Sequence, residues 1–260
     1  MRPGGMRGAA ALRLAVSGIG LIGIWYFIVW ATDAPHFMLP TPLRVAQSLV
    51  RQWDIIGGHA LVTLAEILAG LATGVAVGLA TALLVMAWPP GRRWLLPVLV
   101  ISQAVPVFAI APLLVLWMGF GAASKIAMAA IIIFFPVTTA FYDGMRRTEP
   151  GWLDLARTMG ATPRAVLWRL RVPAALPALA SGLRVAAAVA PIGAVVGEWV
   201  GASSGLGYLM LHANGRSETD QMFAALIVLA AMALALYFAV DRALTALLPW
   251  QPDSITEDTP

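Results

Sequence analysis

Six long apolar runs divide this chain and leave it few ways to fold. They cover roughly residues 12–31, 60–87, 94–117, 126–142, 178–200 and 222–248. A hydrocarbon core about 30 Å thick is crossed by about 20 helical residues. Inside that core every backbone amide and carbonyl must find a partner within the protein, which a helix supplies. Composition agrees: 60% of residues are hydrophobic and 12% charged, against about a quarter charged in a soluble domain. The expectation is an all-α, polytopic membrane protein. Six transmembrane helices fill residues 12–248, with a short tail at 1–11 and a polar tail at 249–260.

Charge placement predicts the orientation. Of the 17 Lys and Arg, twelve lie near the N-terminus, at Arg92–Arg93, between Arg146 and Arg171, and at Arg242. Four (Arg44, Arg51, Lys125 and Arg216) fall in the alternate loops, and Arg184 lies within a span. Basic loops stay cytoplasmic, so both termini and the 146–171 interval are expected inside. The high pI follows from these loops and does not require a nucleic-acid partner. Trp25, Tyr26 and Trp30 close the first run, which favours an uncleaved anchor over a signal peptide. Most Trp residues sit at span ends, so an interface belt explains them before an aromatic cage does. Gly70, Gly74 and Gly78, and again Gly193, Gly197 and Gly201, recur at four-residue spacing and make faces that a neighbouring helix can approach closely. Pro97, Pro106 and Pro112 imply that the third span is kinked or broken.

The longest polar interval runs from Glu149 to Pro177 and carries Arg157, Arg164, Arg169 and Arg171. It reads as two short helices bent around Gly160–Pro163. Thr162 is placed to cap the second, with Pro163 in its first turn, and Pro173 is expected to stop it. Val166, Leu167 and Leu170 share one face, with Arg164 and Arg171 off it. On charge and periodicity alone the interval reads equally as a basic amphipathic segment lying on the lipid surface.

Asp154-Leu155-Ala156, then Gly160, then Leu170-Arg171-Val172-Pro173 resemble the cytoplasmic loop of permease subunits of bacterial ABC importers. That loop carries Glu-Ala-Ala, three residues, Gly, nine residues, then Ile-x-Leu-Pro. Here Asp-Leu-Ala and Leu-x-Val-Pro stand in for the two ends, with charge sign and apolar character retained. The resemblance implies a coupling helix that docks into a separate ATPase, carried here by Asp154, Ala156, Gly160, Ala161, Arg164, Leu170 and Pro173. Leu39-Pro40-Thr41-Pro42 resembles the turn that follows the first span in the same family. Gly182-Leu-Arg184-Val-Ala186, Glu198 and Gly201-Ala-Ser-Ser-Gly-Leu-Gly-Tyr208 resemble the fifth span of its sulfonate and nitrate members, where the Gly-rich stretch leads to the periplasmic gate. The resemblance implies that Glu198, Gly201, Ser203, Gly205 and Gly207 serve the translocation path or gate. It further implies a type I importer fold, a periplasmic solute-binding protein, and a homodimer in the inner membrane. ATP and Mg would be bound by the ATPase, with no cofactor on this chain.

Other chemistry is sparse. The chain has no Cys, which excludes disulfides and thiolate sites. With Lys125 the only Lys, no phosphate-binding G-x-x-x-x-G-K-[ST] occurs. His36, His59 and His212 lack metal-ligand spacing. Gly201-Ala-Ser203-Ser-Gly205 matches the G-x-S-x-G elbow of serine hydrolases, with His212 nearby, but the elbow needs a preceding strand. Glu66, Arg184 and Glu198 are charges within or at the edge of spans, functional candidates unless they are paired or snorkel to water. Glu198 is the favoured path group, and Glu66 has no assigned role. The stretch Leu209–Arg216, Thr219-Asp220 and Leu248–Pro252 resemble members assigned to pyrimidine precursors of thiamine, while sulfonate, taurine and nitrate members share the rest.

Overall fold

A computed structural model describes residues 4–102 and 105–250. Among the described residues regular structure is entirely helical: α1 (Gly4–Thr32), α2 (Pro42–Arg51), α3 (Trp53–Ala87), α4 (Pro89–Ser102), α5 (Val107–Met118), α6 (Ala122–Arg146), α7 (Pro150–Thr158), α8 (Pro163–Val166), α9 (Val172–Gly201), α10 (Leu206–Gly215) and α11 (Thr219–Leu247). A π-helical turn, Leu167–Arg171, joins α8 to α9 without a break. Four helical stretches are long and apolar enough to cross a membrane: α3, α6, the continuous 163–201 stretch and α11.

The centre of the bundle is α6, packed between α3 and α9. Gly70, Gly74 and Gly78 of α3 meet Ala129, Ile133 and Val137 of α6 in step, four residues apart on each helix. At Gly74 an added Cβ would come within 2.7 Å of Ile133 Cβ. Gly182, Gly193 and Gly197 of α9 in turn lie against Ala140, Ala129 and Lys125 of α6, so that Ala129 meets both neighbours. Close backbone approach gives dispersion contact where lipid offers no hydrophobic drive. It also brings the Gly78 carbonyl within 3.2 Å of the donating Thr138 hydroxyl.

This register fixes directions. α3 and α6 run parallel, so the chain must return between them, and α4 and α5 supply the return in two pieces. They lie on either side of residues 103–104, as three prolines in that span predicted. α9 runs back along α6, and α11 runs back along α9, with Asp241 beside Arg184. The bundle therefore has two ends. The α7–α8 loop lies at the end where α3 and α6 terminate, and α10 lies at the other.

Several boundaries differ from the sequence expectations. The N-terminal tail is helical from Gly4, and residues 1–3 lie outside the described residues, as does the C-terminal tail from 251 onward. The second span begins at Trp53, because Gln52 is the only interruption after the Thr41-capped α2, whose cap accepts Arg44 N–H at 3.4 Å. Lys125, expected in an outer loop, is the fourth residue of α6 and is buried. The Gly-rich interval after Gly201 contains a helix, α10. Pro173 does not stop a helix. The i→i+5 bond from Val172 N–H to the Leu167 carbonyl widens the turn in which the proline ring would otherwise meet the preceding carbonyl.

Candidate functional site

At one end, α7 closes in a Schellman motif. Ala161 N–H donates to the Ala156 carbonyl and Gly160 N–H to that of Arg157, both at 2.9 Å, with Gly160 at φ +73°. That conformation is strained for a residue with a Cβ. Thr162 caps α8 by accepting Ala165 N–H at 3.3 Å, with Pro163 next. The predicted turn and cap are thus where the residues place them. Ala156 is buried. Asp154 and Arg157 form an exposed pair at 2.9 Å, and Arg164 is exposed. Trp152 and Leu155 of α7 and Met159 just after it are exposed along one stripe, apolar surface on a segment too short and polar to be a span. Leu170 is half-buried and Pro173 exposed. Arg171, expected off the packed face, turns inward: its guanidinium donates to the Met145 carbonyl at 3.1 Å.

At the other end, three side chains from two helices cap the N-terminus of α10. Gly205 N–H donates to His59 Nδ1 at 2.9 Å, Leu206 N–H to Thr63 Oγ1 at 2.7 Å, and Gly207 N–H to Glu198 Oε2 at 2.5 Å. The Thr63 hydroxyl donates in turn to Glu198 Oε1 at 2.6 Å. Glu198 is 1% exposed, and this capping occupies both of its oxygens. Gly205 (φ +114°) and Gly207 leave the space that the carboxylate fills; a Cβ on Gly207 would lie 2.8 Å from Glu198 Oε2. Gly201 admits Val115 of α5 in the same way. Ser203 is exposed on the loop, and His212 lies against Tyr208, ring centroids 3.9 Å apart.

Two of the three intramembrane charges, Glu66 and Arg184, have ionic partners. Glu66 accepts from Lys125 Nζ at 2.5 Å with both side chains about as buried as the core. The Glu66 and Glu198 carboxylates are neighbours. Arg184 binds Asp241 at 2.6 Å, half-exposed on the bundle surface. Sequence reasoning missed His59, Thr63, Lys125 and Asp241 as partners. Only the first two left a signal, since His59, Thr63, Glu66 and Gly70 share one helical face. The two predicted residue sets do not form one site. They lie at opposite ends of α9, about 45 Å apart at 1.5 Å per residue. Among the described residues no cluster suited to a metal ion occurs.

Residues 70–251 match the family described as binding-protein-dependent transport system inner membrane component. The chain belongs to this permease family. A Haemophilus influenzae relative described as a probable ABC transporter permease is 54% identical over 228 residues, covering 88% of this chain and 93% of its own. A formylaminopyrimidine transport permease of Halalkalibacterium halodurans is 35% identical, covering 89% and 94%. A riboflavin transport system permease of Chloroflexus aurantiacus is 36% identical, covering 93% and 91%. Among solved structures, the inward-facing methionine ABC transporter MetNI superposes with TM-score 0.64 at 21% identity, over 75% of this chain and 97% of that one, which establishes the fold. The permease is therefore a multi-pass inner-membrane translocation subunit and not an enzyme, and its family works with an ATPase and a solute-binding protein. The hydrolase reading of Ser203 fails, for a 30-residue helix, not a strand, precedes that loop.

Proposed function

We propose that this permease imports an aminopyrimidine precursor of thiamine, with the α7–α8 segment as its ATPase-docking element. The similarity to the formylaminopyrimidine permease over nearly all of both chains supports the substrate class. The coupling role rests on the exposed Trp152–Leu155–Met159 stripe, held on a rigid turn by Gly160 and Thr162. Asp154, Gly160, Ala161 and Arg164 face or shape that surface. Ala156 and the half-buried Leu170 seat it on the bundle, and Pro173 follows the π turn that joins it to α9. ATP and Mg belong to the ATPase. Both termini are assigned to the cytoplasmic side together with the basic loop, and α10 with Gly201, Ser203, Gly205 and Gly207 faces the solute-binding protein. The buried Glu198 serves this gate as its cap and does not touch the solute.

The working unit is a homodimer. The apolar grooves on a single chain, about 370 Å³ beside Trp25 and Phe223 and about 490 Å³ beside Trp53 and Met232, lack the convergent polar groups that a small polar solute requires. A path between two copies supplies what one chain lacks.

A second substrate reading, a riboflavin-like flavin, is favoured by the Chloroflexus relative of equal similarity. Sulfonate and taurine readings rest on relatives at 30% and 28% identity, from Bacillus subtilis and Escherichia coli. The test is ATPase activity of the reconstituted permease, ATPase and binding protein. Formylaminopyrimidine, riboflavin, taurine, an alkyl sulfonate and nitrate are added one at a time. Stimulation by the aminopyrimidine alone supports the proposal, and stimulation by any of the others instead overturns it.

A further inference from the structure

The segment between α6 and α9 contains five arginines, and four of them, Arg147, Arg157, Arg164 and Arg169, are exposed. The fifth is turned into the bundle. Arg171 donates to the Met145 carbonyl at 3.1 Å, and the same nitrogen lies 3.5 Å from Met86 Sδ. Met145 is the penultimate residue of α6 and Met86 the penultimate residue of α3. One side chain thus ties together the ends of the three helices that build the core.

The contact is chemically directed. The carbonyls of a last helical turn have no partner within the helix, and a cation there complements the helix dipole. Met145 is wholly buried, and its carbonyl also accepts the Thr148 hydroxyl at 2.9 Å. Arg171 stands in the π-helical turn, whose extra residue changes the direction in which side chains leave the helix. This turn is the one non-α segment between α8 and Gly201, so a push on α7–α8 reaches α9 through it.

We propose that Arg171 is a positioning residue for energy coupling, carrying displacement of the α7–α8 segment to α3 and α6. This rests on the reading of that segment as the ATPase-docking element. A guanidinium bound to a buried carbonyl moves with it, whereas without that link α9 is free to pivot at the π turn while α3 and α6 stay in place. ATP would then be hydrolysed without the bundle opening.

The experiment measures transport and ATPase activity in the same proteoliposomes of the assembled transporter, normalised to permease content. Arg171→Gln, which keeps a terminal N–H donor but shortens the side chain and removes the charge, is expected to lower solute uptake about tenfold at nearly unchanged basal ATPase, the size of one charge-assisted hydrogen bond. Arg171→Lys recovers part of the coupling, and Arg169→Gln, an exposed control of equal charge, recovers all of it. Uptake and ATPase falling together in Arg171→Gln would mark the residue as merely structural, and an unchanged ratio would show no role. Either result overturns the inference while leaving the coupling reading intact. Should Arg171→Gln fail to reach the membrane, the ratio in Arg171→Lys decides: a lowered ratio supports the inference and a wild-type ratio overturns it. Failure of the wild-type permease to bind the ATPase would remove the coupling reading, and this inference with it.

Discussion

At the residue scale, the buried polar groups act as pairs whose members cannot be lost singly. Lys125 and Glu66 neutralise each other between α6 and α3. Removing one partner of a buried pair costs about 3–5 kcal/mol, whereas replacing both with apolar groups is often neutral. Lys125→Met is therefore expected to lower the thermal stability of the detergent-solubilised permease markedly. Lys125→Met with Glu66→Leu restores it, as a double-mutant cycle by thermal shift would show. Gly160 is sensitive for a different reason. At φ +73° even Gly160→Ala costs about 1 kcal/mol in the turn, and a branched side chain costs more. Gly160→Val should reduce ATPase co-purification and uptake while leaving membrane content near normal, as pull-down and immunoblot would measure.

At the element scale, α10 exists because other helices satisfy its end. Gly205 cannot cap with a side chain, so His59, Thr63 and Glu198 accept the amides that a Ser or Asp cap would take locally. Thr63→Val removes the acceptor of Leu206 N–H and the donor to Glu198 together. A buried unsatisfied group costs about 1–3 kcal/mol. The expected result is faster hydrogen exchange at residues 205–207 with the α3–α6 core unaffected, and uniform protection would refute the cap. The Gly-rich interval looked like a loop from its composition because the groups that make it helical lie 9 to 146 residues away in sequence. The α7–α8 turn was legible for the opposite reason: Gly160, Thr162 and Pro163 act on their own neighbours, so local chemistry sufficed. Pro173 was misread because the helix enters it through a π turn, whose widened ring no local proline preference signals.

For the whole molecule, the packing of α6 between two glycine faces is the main prediction. Gly74→Leu places a side chain where Ile133 already stands, and overpacking of this kind costs about 1–3 kcal/mol or more. Loss of monodisperse protein in size-exclusion chromatography is expected, against little change for Gly58→Leu, where the space is open. By itself the sequence determined the class of fold, because hydropathy, span length and the distribution of Arg act through the bilayer and need no knowledge of contacts. It also determined the polar turn at 149–163, through dihedral preferences of single residues. Only the tertiary structure decided that Lys125 leaves the loop for Glu66, that Glu198 caps a helix, and that Arg171 turns inward. Each of these depends on which helices become neighbours, and a buried charge takes whatever partner the packing puts within reach.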